Sequence, residues 1–320
     1  MLSAPDFEKK QIIFAMLNQG DKLSFKNDNI VIREYLDRIK HQSTCYRLFA
    51  LFIAGNTTIT SGLLQRAEKF GFTIIFMNYS MRVYGVWASA TGGNVLLRRK
   101  QYQYTKLDIA QSIVANKIDN QLAVLKSIRN KSLTLKKCIA KIVSYRDRLP
   151  DNALGLQDIL GIEGISSRSY FSSLYADFGW TARRPRVKHD AINCLLDIGY
   201  TKLFNITEAL LNVYGFDLYK GVYHRQFYQR KSLVCDIVEP FRPLIDYRIR
   251  KAYNLGQVNE NDFDIRQGQY FLYGKKAKPY VAWLLEAVLE RKNEMFKYIQ
   301  NYYRAFMKDM DAAKFPVFNF

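Results

Sequence analysis

Near Asn94 the spacing of apolar residues changes its period, and a chain that changes period once must fold into two kinds of structure. Before that point, Leu23, Phe25 and Ile30-Val-Ile32 flank the polar cluster Lys26-Asn-Asp-Asn29, the pattern of a hairpin. Short β-prone runs follow in Tyr46–Ala54, Phe72–Met77 and Val83–Trp87, punctuated by Gly55-Asn56, Gly71 and Gly92-Gly93, with one short helix expected over Thr60–Phe70. Beyond it, Leu107, Ile109, Ile113, Ile118, Leu122, Leu125 and Ile128 recur at helical spacing. The expected fold class is therefore α+β: a small β-rich domain over residues 1–97, a linker over 98–106, and a larger α-helical domain over 107–320. A final helix is expected from about Tyr280 to Met310, ending before Phe315-Pro316.

The chain carries 48 Lys and Arg against 29 Asp and Glu, a net charge of +19, which favours a polyanionic partner such as nucleic acid. Residues Arg98 to Arg148 hold 13 of the basic residues and 3 of the acidic ones. That stretch reads equally well as a solvated helix face or as a track for phosphates. The apolar run Leu48–Ala54 is far too short to cross a bilayer, so no membrane role is expected. Cys45, Cys138, Cys194 and Cys235 are widely spaced and form no C-x-x-C pair, and a reducing cytoplasmic setting is expected. No P-loop, no G-x-G-x-x-G after a strand and no G-x-S-x-G occurs, which sets aside nucleotide-triphosphate, dinucleotide and serine-hydrolase chemistry.

Chemistry can be sought around three acidic positions and one of the three histidines, His224. With Ser232 as N-cap, Asp236 and Glu239 would share one side of a helix, away from the apolar stripe Leu233, Ile237 and Phe241. Periodicity alone makes them a solvent-facing acidic pair, and Pro240 and Pro243 threaten to kink that helix. Glu163 sits near Ile159, Leu160 and Tyr170 on a helical projection, so partial burial is expected. A buried carboxylate needs a metal, a cation or a hydrogen-bond network, and an ion pair with Arg168 would serve equally. Two or three carboxylates and one imidazole suit Mg²⁺ or Mn²⁺ better than zinc. His41 and His189 lie in polar and basic surroundings and suggest no special role.

Several blocks then carry a resemblance: Gly161-Ile-Glu-Gly164 with Tyr170-Phe171, Asp190-Ala-Ile-Asn193 with Gly199-Tyr200, His224, and Ser232-Leu-Val-Cys-Asp-Ile-Val-Glu-Pro-Phe-Arg-Pro243. In this order they resemble the motifs of the CRISPR-associated integrases, the Cas-one family. His41–Ala50 and Asn94–Gln101 look like variants associated with type V loci. The resemblance implies a homodimer joined mainly through the β domains, assembly with the small partner Cas-two, and double-stranded DNA as substrate. The implied reaction joins the 3′-hydroxyl of a short spacer DNA to the repeat ends of a CRISPR array with a metal ion's help. It implies Glu163, His224 and Glu239 as ligands of Mg²⁺ or Mn²⁺, with Asp236 as an additional catalytic acidic residue. Tyr170, Asn193, Tyr200 and Arg242 fall in neighbouring motifs as site support or DNA contacts. Arg98, Arg99, Lys100, Arg183, Arg184 and Arg186 become candidate contacts to the DNA backbone. Ala191 departs from a proline common at that place in relatives. Two alternatives remain: a metal-dependent nuclease of branched or single-stranded DNA, and a basic scaffold that binds nucleic acid without catalysis.

Overall fold

The computed structural model describes residues 2–78, 83–88, 94–151 and 153–320, so Gly92-Gly93 lies outside the described residues. The chain forms two compact units, Met1–Val95 with Ala209–Gly215, and Leu96–Glu208 with Phe216–Phe320.

The first unit opens with α1 (Ala4–Glu8) and continues through β1 (Gln11–Met16), β2 (Lys22–Lys26), β3 (Asn29–Arg33), β4 (Ile39–Thr44), β5 (Leu48–Ala54), α2 (Ser61–Phe70), β6 (Thr73–Met77) and β7 (Val83–Trp87). All seven residues of β5 are buried, as expected of an uninterrupted apolar run. It lies inside a four-stranded sheet of order β1-β5-β6-β7, pairing in parallel with β1 and β6. Strands β2, β3 and β4 form a separate antiparallel sheet. Asn27 and Asp28 both adopt left-handed backbone (φ 48° and 58°), which matches the right-handed twist of the two strands they join. Ile30 and Ile32 share one core with Leu51, Ile53, Leu63 and Ile74.

After β7 the chain is mostly helical: α3 (Val95–Gln103), α4 (Asp108–Ser127), α5 (Leu133–Arg146), α6 (Leu156–Leu174), α7 (Ala191–Asn212), α8 (Ser232–Val238) and α9 (Arg242–Asn254). The short hairpin β8 (Asp264–Arg266) and β9 (Gln269–Phe271) precedes α10 (Gly274–Leu289) and α11 (Lys292–Met307). Helix α4 is buried nearly all round, with Gln111, Asn116, Lys117, Asn120 and Gln121 among its buried residues. Buried polar groups need partners, and α4 supplies them to distant segments. Asn120 Nδ2 donates to the carbonyls of Pro240 (2.8 Å) and Phe318 (2.9 Å), and Asn116 exchanges two hydrogen bonds with Phe318.

Three local expectations change and a fourth is met. Most of the expected linker, residues 98–106, is helix α3, because Leu97 is buried and the Gln101 amide is tied to the backbone of Asp217 and Lys220. The closing helix is two helices that break at Glu290-Arg291, where the Arg291 guanidinium turns to Glu294 and the Asn319 carbonyl. Ser232 begins α8 instead of capping it, and its hydroxyl donates to the Arg225 carbonyl at 3.2 Å. The two prolines do interrupt the helix: α8 stops at Val238, a 3₁₀ turn covers Glu239–Phe241, and α9 starts at Arg242.

Candidate active site

Asp236 and Glu239 are not solvent-facing, since their side chains are 0% and 4% exposed. The period that placed them on a polar face holds for one helix against one core. Here α8 is enclosed on both sides, with Leu233, Val234, Ile237 and Val238 buried around the acids. Each carboxylate has its own set of partners.

Asp236 organises the loop before it. Its Oδ2 accepts the backbone N–H of Val222 (2.6 Å) and Tyr223 (3.1 Å), and its Oδ1 accepts that of His224 (2.8 Å). The same Oδ1 lies 2.7 Å from His224 Nδ1. A carboxylate in that position fixes the ring so that Nε2 is the nitrogen available for other work. Gly221 makes the approach possible, because a Cβ there would stand 2.5 Å from Asp236 Oδ2 and 2.9 Å from the Ser232 backbone.

Glu163 on α6 and Glu239 on the 3₁₀ turn converge on one nitrogen. Lys117 Nζ, on α4, hydrogen-bonds Glu163 Oε1 and pairs with Glu239 Oε2 at 2.6 Å. The remaining oxygens are also held, Glu163 Oε2 by the Tyr223 hydroxyl at 3.1 Å and Glu239 Oε1 by Arg242 at 3.0 Å. Burial pushes the Glu163 carboxyl up, but the Lys117 ammonium outweighs it and brings it down to about 2. Burial likewise works against the charge on Lys117, and Glu163 and Glu239 together reverse the effect, so it stays cationic. The predicted ion pair with Arg168 is absent among the described residues, and Arg168 is exposed.

Other expected residues fall into two groups. Tyr200 donates to Asp246 and lies under the guanidinium groups of Arg242 (4.8 Å) and Arg183 (5.5 Å). Burial pushes the Asp246 carboxyl up to about 7, and Tyr170, fully buried, is near enough that burial and Asp246 together raise its hydroxyl. Asn193 is buried and spoken for, accepting from Arg183 and the Arg184 backbone and donating to Asp190 and the Ala182 carbonyl. Asp190 in turn accepts the Asn193 backbone N–H at 2.6 Å, so α7 starts at Ala191 without the proline. Arg183 is also paired with Asp197 at 2.6 Å, and Lys100 binds Asp309 and the Met307 carbonyl. Arg99, Arg184 and Arg186 are exposed, while Arg98 is half-buried.

Among the described residues, no three His, Cys, Asp or Glu side chains stand grouped as metal ligands. The two carboxylates that share a cation are nonetheless hard oxygen donors of the kind a divalent ion takes. Lys117, Tyr223 and Gly221 were missed by sequence reasoning. Lys117 counted there only as one charge in a basic stretch.

The family model for CRISPR associated protein Cas1 matches residues 14–284. The chain belongs to the Cas1 family. It is 30% identical over 276 residues to a "CRISPR-associated exonuclease Cas4/endonuclease Cas1 fusion" of Geobacter sulfurreducens, covering 80% of this chain and about half (49%) of that one. It is 28% identical over 296 residues to a "CRISPR-associated endonuclease Cas1 2" of Rhodospirillum rubrum, covering 86% and 85%. The fold matches a chain of a Cas6-RT-Cas1–Cas2 complex with TM-score 0.80 and 22% identity, over 97% of this chain and 36% of that one. It also matches a casposase bound to integration product with TM-score 0.77 and 17% identity, over 97% and 94%. A β-rich amino-terminal part before a mostly helical one is thus the Cas1 arrangement. Among the described residues no helix is long and apolar enough to cross a membrane.

Proposed function

We propose that this protein is a metal-dependent DNA integrase of CRISPR adaptation, joining the 3′-hydroxyl of a spacer DNA to a repeat end by transesterification. The observation that carries the reading is the convergence of Glu163 and Glu239 on a single buried cationic point. Gathering two carboxylates costs desolvation, and a shared divalent ion would offset that cost as the lysine does. Glu163, Glu239 and His224 would hold Mg²⁺ or Mn²⁺. When bound, that ion would stabilise charge building on the attacked phosphodiester.

The chain's own side chains do the rest. Asp236 orients the His224 ring, Tyr223 fixes one oxygen of Glu163, and Arg242 fixes one of Glu239. The glycines flanking Glu163 leave bare backbone: a Cβ at Gly161 or Gly164 would meet nothing within 4 Å. That gives a nucleic-acid strand room to approach the helix. The relatives named as Cas1 endonucleases, the complex containing Cas2 and the casposase bound to integration product support the same reading. We extend it to a homodimer that assembles with Cas2 and double-stranded DNA.

The test is to incubate the protein with Cas2, a short duplex bearing 3′-hydroxyl ends, a supercoiled plasmid carrying the array, and Mg²⁺ or Mn²⁺. Covalently joined product is expected, and cutting without joining would leave only the nuclease reading. Glu163→Ala, His224→Ala or Glu239→Ala should each lower joining by about a hundredfold or more while DNA binding persists. Chelating all divalent ions should abolish joining, and undiminished joining after chelation would remove the metal from the mechanism.

A further inference from the structure

A lysine beside an acid on a protein surface is ordinary, but Lys117 is not in that position. Its side chain is 7% exposed, and its one nitrogen serves a carboxylate on α6 and another on the turn after α8. Both carboxylates are oriented for it, because Tyr223 and Arg242 occupy the oxygens that point elsewhere. Helix α4 cannot easily withdraw, since Asn120, one turn on, is bonded to the Pro240 carbonyl beside Glu239. The lysine head therefore sits where a metal ion shared by Glu163 and Glu239 would sit.

We propose that Lys117 is a positioning residue that stands in for the divalent ion, holding Glu163 and Glu239 together before metal arrives and competing with it for the same oxygens. The inference rests on the metal reading given above. A dication and an ammonium cannot both take those oxygens, so metal entry requires the flexible lysine stem to swing its head away. The metal-free site is thereby kept folded and neutralised, and loading is weakened by the contacts that must first break.

The experiment is a titration of Mn²⁺ alone into the metal-stripped, full-length protein, with free Mn²⁺ read by electron paramagnetic resonance. Lys117→Met should bind Mn²⁺ roughly tenfold more tightly than the unsubstituted protein, because the competitor is gone. Its metal-free unfolding temperature should fall and recover when Mn²⁺ is added. A lysine that only supports the fold would give the opposite sign, since damage at the site weakens binding. Should Lys117→Met not fold without metal, Lys117→Arg carries the test: its guanidinium keeps the bridge, so Mn²⁺ should bind no more tightly than before. Equal or weaker binding by a folded Lys117→Met, or tighter binding by Lys117→Arg, overturns the proposal and leaves the metal reading standing. No Mn²⁺ binding by either the unsubstituted protein or Lys117→Met overturns both.

Discussion

Asp236 and Asp246 show how differently one residue type behaves when buried. Asp236 accepts three backbone N–H groups beside the His224 ring, so its charge is matched by fixed donors. Asp236→Asn would set an amide NH₂ against those donors. It should slow strand joining by roughly ten- to a hundredfold through a misplaced His224, and a joining assay on protein with an unchanged circular dichroism spectrum checks this. Asp246 has Tyr200 as its donor, and burial raises its carboxyl from the ordinary 3.8 to about 7. The folded state then binds more protons than the unfolded state between those values, so this residue's contribution to stability falls as pH rises from about 4 to about 7. Asp246→Asn should flatten that part of the pH profile in thermal melts; an unaltered slope would show that Asp246 does not titrate there. At this scale Glu163 was legible, because apolar residues surround it on its own helix. Lys117 was not, because its partners come from α6 and from the turn after α8, far along the chain.

The turn that carries Glu239 depends on a break between α8 and α9. Pro240 and Pro243 announced it in the sequence, whereas the break at Glu290-Arg291 has no glycine or proline and was invisible. There the Arg291 guanidinium reaches the Asn319 backbone carbonyl near the far end of the chain, a contact that no local pattern announces. The hairpin turn was legible from Asn27-Asp28 because few residues accept left-handed backbone twice in succession. The loop carrying His224 was harder to read, since its shape comes from a carboxylate on a later helix. Gly221 is the weak point of that loop. Gly221→Ala would press a methyl against Asp236 and the Ser232 backbone, and a loss of about 1–3 kcal/mol is expected from overpacking. Gly164→Ala meets nothing and, replacing a helical glycine, should leave stability unchanged or raise it by about 0.5–1 kcal/mol. Denaturant unfolding of the pair separates the two roles.

Across the molecule, the charge of +19 together with the proposed DNA partner predicts that DNA affinity falls steeply with salt as condensed counterions are released. A flat plot of log affinity against log salt would contradict this. The basic cluster at residues 183–186 does not act as one unit. Arg184→Glu with Arg186→Glu should weaken DNA binding at constant stability, while Arg183→Ala should cost stability, because it is the Arg183 side chain that is committed to Asn193 and Asp197, whereas Arg184 meets Asn193 through its backbone. Charge in the sequence could suggest a nucleic-acid partner, but not which arginines are already occupied. Asn120 adds a consequence of its own. One amide group holds both the Pro240 carbonyl and the Phe318 carbonyl, so the turn beside Glu239 and the last residues of the chain are fastened by the same latch. Hydrogen exchange at the Phe318 amide, itself bonded to Asn116, should then act as a distant gauge of whether the turn carrying Glu239 is shut.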